Sequence, residues 1–240
     1  MTINIIVNGA KGKMGAITAE TIKQNKQFTL VAALDHDDNL ADAIQKHQAK
    51  IVIDFTIPST VYENTKTIIQ NGAHPIIGTT GLSDTQIAEL SNLCEQKKLG
   101  GIIAPNFSLG ALLMMRYAAD AAKYFPECEI IERHHEKKLD APSGTALKTA
   151  DLMRNKPASS ISNELKNHPA RGELHHDIPI HSVRLPGYFA HQTVIFGGVG
   201  EVLTIRHDAM TREAMMPGVV LACQKVLELD RMIYGLEQLL

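Results

Sequence analysis

Residues 3–15 read INIIVNGAKGKMG, and this stretch decides the fold. INIIVN is a short, apolar, β-branched run ended by glycine, which predicts a buried strand over 3–8. Gly9, Gly12 and Gly15 follow at G-x-x-G-x-x-G spacing, and Lys13 opens a predicted helix over 13–25. Glycines between a strand and a helix let the chain turn sharply and approach a pyrophosphate, whose charge sits on the helix N-terminus. The spacing is a variant of the usual G-x-G-x-x-G, so the context carries more weight than the motif. A second apolar run, FTLVAALD, predicts a strand over 28–35. It ends in Asp35, 20 residues after Gly15, where a carboxylate is expected on a ribose 2′-hydroxyl. Strand, glycines, helix and acid together predict a dinucleotide site. Asp35 favours NADH, because a carboxylate repels a 2′-phosphate, while Lys11, Lys13 and His36 surround the same place and offset that repulsion. Both NADH and NADPH are expected to be accepted.

Outward from this unit the alternation continues. Strands are predicted over 50–55, 76–77 and 100–104, and helices over 40–48, from Ser59 or Thr60 (as cap) to Asn71-Gly72, and from the Ser83-Asp84 cap to about 98. Five continuous apolar strands alternating with helices mean a parallel sheet covered on both faces, a doubly wound, Rossmann-like α/β arrangement. Ligands in such sheets lie beyond the carboxyl ends of the strands. Gly78-Thr79-Thr80-Gly81 and Ala104-Pro105-Asn106-Phe107 both fall there, and their small residues and backbone amides suit a nicotinamide. After Pro105 the pattern changes. A helix is predicted over 109–125, a strand over 128–135, a helix over 143–155 and a polar, irregular stretch over 156–178. Strands over 178–185, 191–196 and 201–207 are joined by turns at Pro186-Gly187 and Gly197-Gly198, which implies antiparallel pairing. A helix over 211–229 closes the chain.

Composition bounds the function. A length of 240 residues allows one or two domains at about 150 residues each. Net charge is −2, from 24 basic and 26 acidic residues, which excludes a generally basic nucleic-acid binder. Cys94, Cys128 and Cys223 are odd in number and far apart, so neither a disulfide framework nor a CxxC knuckle is available. Met1 runs into INIIVNG without a basic n-region or small-residue cleavage site, and no apolar run approaches the roughly 20 residues of a bilayer span. The expectation is a cytoplasmic protein with no membrane contact. Histidine is the oddity: there are 11, eight of them between His134 and His207.

Within that region, Glu132 to Thr145 reads ERHHEKKLDAPSGT. The segment lacks the second histidine of HExxH, adjacent His134 and His135 face opposite ways if a strand runs through them, and two lysines oppose a cation, so no metal is expected. Histidine and lysine instead suit proton transfer, and Pro142-Ser143-Gly144-Thr145 starts a helix whose N–H groups attract anions. On spacing alone the segment reads equally well as a solvated charged loop before a capped helix, or as a site for a substrate carrying carboxylates.

HHEKKLDAPSGTA resembles the signature of the dihydrodipicolinate reductase (4-hydroxy-tetrahydrodipicolinate reductase) family. GAKGKMG, VIDFTIP ending at Pro58, GTTG at 78–81, APNFSLG at 104–110 and SVRLPG at 182–187 are similar to family motifs in the same order, across nearly the whole chain. The resemblance implies a dinucleotide-binding domain, 1–107 with 211–240, and a substrate-binding and tetramerisation domain, 108–210, with a mostly antiparallel sheet in an α+β arrangement. It implies NAD(P)H-dependent reduction of a cyclic imine dicarboxylate in the diaminopimelate route of lysine biosynthesis, by a homotetramer. By position, His134 resembles the proton donor/acceptor and Lys138 the proton donor. His135, Lys138, Ser143, Gly144 and Thr145 are expected on substrate. Gly9, Ala10, Lys11, Gly12, Lys13 and Met14, with Gly78, Thr79, Thr80, Ala104, Pro105, Asn106 and Phe107, are expected on cofactor. Lys13 and His36 stand where many relatives carry arginine, which bears on the cofactor balance and not on the chemistry. Two other readings compete. One is another two-domain NAD(P) oxidoreductase of amino-acid metabolism, such as an aspartate-semialdehyde or homoserine dehydrogenase; the first needs a catalytic cysteine, and Cys128 reads as core. A non-catalytic dinucleotide sensor leaves 134–145 without a purpose.

Overall fold

The computed structural model describes residues 2–162, 165 and 167–240. The chain forms two compact units: residues up to Phe107 together with Met215–Leu240, and Ser108–Ala214. Residues 211–214, expected within the closing helix, therefore pack with the second unit.

The first unit alternates strand and helix: β1 (Ile3–Asn8), α1 (Lys13–Gln24), β2 (Phe28–Leu34), α2 (Leu40–His47), β3 (Ile51–Asp54), α3 (Val61–Gln70), β4 (His74–Ile77), α4 (Asp84–Lys97) and β5 (Gly101–Ile103). Every residue of β3 is buried, as expected for a strand covered on both faces. Ile6, Val52, Ile68, Ile69, Ile77 and Leu90 share one core between sheet and helices. Capping is visible at α4, where Ser83 and Gln86 form a reciprocal capping box. At α3 the expected cap is corrected: Thr60 holds the position without capping, and its hydroxyl donates to the Ile57 carbonyl at 3.3 Å. The helix over 211–229 is also corrected. A 3₁₀ turn at Arg212–Met215 precedes the last α-helix, here α7 (Met216–Lys225), and another follows at Val226–Glu228. Pro217 sits in the first turn of α7, where its missing N–H costs nothing, and it sets the helix start there. A sixth strand, β11 (Met232–Tyr234), escaped the sequence reading because three residues carry no periodicity. All pairings are parallel, in the order β11-β5-β4-β3-β1-β2. The order reverses between β1 and β3, which is where such sheets bind ligands.

The second unit contains α5 (Leu109–Ala121), β6 (Glu127–His134), α6 (Gly144–Met153), β7 (Glu173–His175), β8 (Ile178–Arg184), β9 (Ala190–Gly198) and β10 (Glu201–Ala209). Its sheet runs β10-β9-β6-β8-β7, with only β6 and β8 parallel. The sheet is mostly antiparallel, yet β8 and β9 do not pair. β6 lies between them: Ile130 meets Ile180 on one side and Val194 on the other. Gly197 and Gly198 end β9 rather than forming the turn, which falls at Val199-Gly200 with Gly200 at φ +78°. α5 stops four residues before Phe125, whose ring packs on Phe196 ahead of Pro126. Within 156–178, read as irregular, Pro169–Arg171 is a 3₁₀ turn and 173–175 forms β7; Asn163, Glu164 and Lys166 lie outside the described residues. Ala118 on α5, Ala122 just past its end, and Ala146 and Ala150 on α6 share a core with Ile130, Ile180, Val194 and Phe196.

Candidate active site

In the first unit, the glycine loop is built by steric need. Gly9 has φ +80°, and a Cβ there would stand 2.5 Å from the Phe55 carbonyl oxygen. A Cβ on Gly15 would stand 2.1 Å from the Gly9 carbonyl oxygen, so only glycine lets α1 close onto its own loop. Gly9 and Ala10 both donate backbone N–H to the Leu34 carbonyl at 2.9 Å. Gly12 is the N-cap of α1 and offers no side chain, and the first turn carries no acidic residue. That end of the helix dipole is therefore kept for an external anion. Lys11 and Lys13 are exposed around it, and Met14 is half-buried.

Asp35 stands just past β2 and closes the loop. Its carboxylate accepts His36 N–H at 2.9 Å and Lys11 N–H at 3.0 Å, and its Oδ1 lies 3.1 Å from His36 Nδ1. The His36 backbone and ring, followed by Lys11, hold the acid down at about 2. Of Lys11, Lys13 and His36, Lys11 meets Asp35 through its backbone N–H and His36 through both backbone and ring.

The other expected cofactor segments meet along the same sheet edge. Thr79, Thr80, Ile103, Ala104, Pro105 and Tyr234 line one cleft. Gly78 has no room for a side chain, since a Cβ would stand 2.1 Å from the Phe55 ring. Phe107 is buried edge-to-face on Phe55 at 5.7 Å, so it braces the loop, and Asn106 beside it is half-buried. Sequence reasoning missed the residue that ties these loops together. Asp54 at the end of β3 is fully buried. It accepts from Asn8 at 2.9 Å, the Thr56 hydroxyl at 2.7 Å, the Thr56 N–H at 3.1 Å, Asn64 at 3.1 Å and the Thr79 hydroxyl at 2.8 Å. Five donors compensate a carboxylate that burial alone would disfavour.

In the second unit, β6 exposes its faces alternately. Cys128, Ile130 and Glu132 share the buried parity, so Glu132 is an acid at a core position, with no exposure at all. Pairing of β6 with β8 sets Ser182 beside Glu132 and Arg184 beside His134. Arg184 grips Glu132 with two bonds, 2.8 Å and 2.7 Å, and Glu132 Oε2 lies 2.5 Å from His134 Nδ1. Its Oε1 also accepts the Ser143 N–H at 3.2 Å. Burial raises the Glu132 carboxyl, but hydrogen bonds from His134, Arg184 and Ser182 outweigh it and hold the group at about 2. The acid is therefore ionised, and His134 must donate from Nδ1.

The strand ends at His134, and the chain turns so that the His135 carbonyl accepts Lys138 N–H at 3.2 Å. Lys138 Nζ binds both oxygens of Asp140, at 2.7 Å and 2.8 Å, and the Asp140 carbonyl accepts from Arg184 at 2.6 Å. Lys138 lowers the Asp140 carboxyl below the usual range. Ser143 caps α6, its hydroxyl accepting from Ala146 N–H at 3.2 Å and its carbonyl from Leu147 N–H at 3.0 Å. The N–H groups of Gly144 and Thr145 are those that helix geometry leaves without an intrahelical acceptor. Space beside Gly144 is open: a Cβ there would meet nothing within 4 Å. Of the expected residues, His134 and Ser143 touch the Glu132 carboxylate, and Lys138 is held by Asp140. Glu132, Arg184 and Asp140 were missed, though a glutamate at the buried parity of an apolar strand was a readable signal. Cys128 is buried, and burial pushes its thiol up to about 11, so it is no nucleophile.

A parallel sheet with a glycine-turned anion loop and a strand-end acid in one unit, and proton donors and anion-binding amides in the other, define a pyridine-nucleotide-dependent oxidoreductase. The comparisons are more specific. Residues 3–107 match the family described as dihydrodipicolinate reductase, N-terminus, and residues 110–240 its C-terminus. The chain is 56% identical over 243 residues to the 4-hydroxy-tetrahydrodipicolinate reductase of Legionella pneumophila (strain Lens), and 55% identical over 240 residues to that of Coxiella burnetii (strain Dugway 5J108-111), covering 100% of each chain in both cases. A solved dipicolinate-bound dihydrodipicolinate reductase from Paenisporosarcina sp. TG-14 superposes with a TM-score of 0.92 at 42% identity, covering 100% of both chains. The chain belongs to the dihydrodipicolinate reductase family.

Proposed function

We propose that the chain reduces 4-hydroxy-tetrahydrodipicolinate, by way of dihydrodipicolinate after the hydroxyl leaves as water, to tetrahydrodipicolinate, using NADH or NADPH, in the diaminopimelate route of lysine biosynthesis in the cytoplasm. The observation that carries the reading is the Glu132 carboxylate, which joins His134 to the N-terminus of α6. One ionised acid thereby sets a proton-exchanging imidazole beside amides suited to a substrate carboxylate.

The glycine loop fits a nucleotide, since side chains are sterically barred from Gly9 and Gly15 and no side chain caps α1. Gly9, Ala10, Lys11, Gly12, Lys13 and Met14 would hold the pyrophosphate, Asp35 and His36 the adenosine ribose, and Gly78, Thr79, Thr80, Ala104, Pro105, Asn106 and Phe107 the nicotinamide half. When bound, the nicotinamide supplies the hydride. Gly144 and Thr145 N–H groups, with Ser143 fixing their helix, bind one substrate carboxylate. His135 adds a polar contact. Lys138, as the ammonium held by Asp140, gives a proton to the reduced ring, and His134 exchanges a proton through Nε2 while Glu132 keeps Nδ1–H in place.

The family resemblance supports a homotetramer. Val202 and Leu203 are exposed on edge strand β10, a surface that a second copy would cover. Among the described residues, no helix is long and apolar enough to cross a membrane. The test is loss of NADH or NADPH absorbance with substrate generated in situ from pyruvate and aspartate semialdehyde. Oxidation with both cofactors is expected, and none with either overturns the reading.

A further inference from the structure

Two histidines without a part in that chemistry, His175 and His176, converge on one carboxylate. His175 ends β7, and His176 with Asp177 forms the two-residue turn into β8. Along a strand, neighbouring side chains point to opposite faces. Here they do not, because the turn is left-handed: His176 has φ +48° and Asp177 φ +66°. Asparagine, aspartate and histidine are the non-glycine residues that take such positions most readily. The effect is to bring the rings edge to face at 4.4 Å, with His175 Nε2 2.8 Å and His176 Nε2 3.0 Å from the same Oδ1 of Asp151.

We propose that Asp151, His175 and His176 form a divalent transition-metal site of the zinc class, with water completing the coordination. The three ligand atoms lie within 4.8 Å of one another. Ligands about 2.0–2.1 Å from a tetrahedral zinc stand roughly 3.3 Å apart, so each carboxylate–imidazole distance need open by only a few tenths of an ångström, while the two imidazole nitrogens, within 4.8 Å, settle to that spacing. Two imidazoles and a carboxylate, with an open position, match a common zinc donor set. The residues are half-exposed, which leaves an entry path. On binding, each imidazole carries its proton on Nδ1 and gives its Nε2 lone pair to the metal. The ion would tie the C-terminal half of α6 to the β7–β8 turn, and so brace the helix whose other end carries Ser143, Gly144 and Thr145. The alternative is two neutral imidazoles that each donate a hydrogen bond to Asp151, with no affinity for metal.

Titration of chelator-treated, full-length protein with Zn²⁺ by calorimetry, and with Co²⁺ by visible absorption, separates the two. Expected are one tight site per chain and the intense visible bands of tetrahedral cobalt. His176→Asn keeps a residue suited to the left-handed turn, and Asp151→Asn keeps a hydrogen-bond acceptor, so both variants should fold. Each should weaken that site at least about tenfold, while His168→Ala leaves it unchanged. Absence of a tight site in the wild type overturns the proposal, as does a site equally tight in His176→Asn and Asp151→Asn. Neither result depends on reductase turnover.

Discussion

Glu132→Gln isolates the carboxylate on which the second unit's site is built. The folded acid sits at about 2 against an ordinary 4.5. At neutral pH that difference is worth roughly 3 kcal/mol of stability. The same figure emerges from the other partner: removing one member of a buried pair costs about 3–5 kcal/mol, because the remaining charge is stranded. Arg184 is poorly placed to tolerate this, since its Nε is already buried without a partner among the described residues. These are two views of one interaction, so the expected loss is about 3 kcal/mol, not their sum. The sign of the pH dependence follows from the depressed folded value. The contribution is complete above about 4.5 and disappears as pH falls from there towards 2. Urea unfolding should therefore show a gap of about 3 kcal/mol between wild type and variant at neutral pH, shrinking near about pH 3. Turnover should fall about 10²-fold, because glutamine no longer demands Nδ1–H of His134. NADH binding to the folded variant separates lost chemistry from lost fold. A variant within about 0.5 kcal/mol of wild type at neutral pH, or a gap that ignores pH, would refute the reasoning.

Lys138→Ala should lose most of its kcat, roughly 10²–10⁴-fold, with a stability change under about 1 kcal/mol because the Asp140 pair is partly exposed; near wild-type turnover would remove Lys138 from the mechanism. His135→Ala should mainly raise KM, which initial-rate kinetics would separate from an effect on kcat. Gly15→Ala should abolish nucleotide binding or melt the first unit, since its Cβ would stand 2.1 Å from the Gly9 carbonyl oxygen; fluorescence titration with NADH reads the first outcome and a thermal melt the second. Asp35→Ala should shift the ratio of kcat/KM values towards NADPH by removing a carboxylate that is ionised at neutral pH, and an unchanged ratio would count against its place on the ribose.

Where periodicity was long, the sequence was readable. The strands β1, β2 and β3 and helices α1 and α4 fall within a residue or two of their expected ranges, because continuous apolar runs and caps such as Ser83 are local signals. What depended on distant partners was not. β7 and β11 are three residues each and exist through pairing with β8 and β5. The insertion of β6 between β8 and β9 is a choice among strands, and short loops pointed the wrong way. The glycine loop and the His134–Thr145 segment were legible because each packs its chemistry into a few consecutive residues. Glu132 and Arg184 are 52 residues apart and meet only through the parallel register of β6 and β8.

The two units solve one problem in the same way. A site on loops at the end of a sheet needs those loops held without a hydrophobic core of their own. Asp54 ends β3 fully buried and collects donors from β1, its own loop, α3 and the loop after β4. Glu132, near the end of β6, is equally buried and collects His134, Arg184 and the N–H that precedes α6. Each acid is costly to bury alone, and its donors are costly to bury without it, so the set assembles together or not at all. That mutual dependence fixes the loops more tightly than apolar contacts could, because hydrogen bonds specify direction as well as proximity. The difference between the two lies in what the acid holds. Asp54 holds hydroxyls, amides and a backbone N–H, which have no proton to exchange near neutrality, and so it braces a binding surface. Glu132 holds an imidazole and a guanidinium, so the same architecture fixes the tautomer and orientation of a ring that can take part in a reaction.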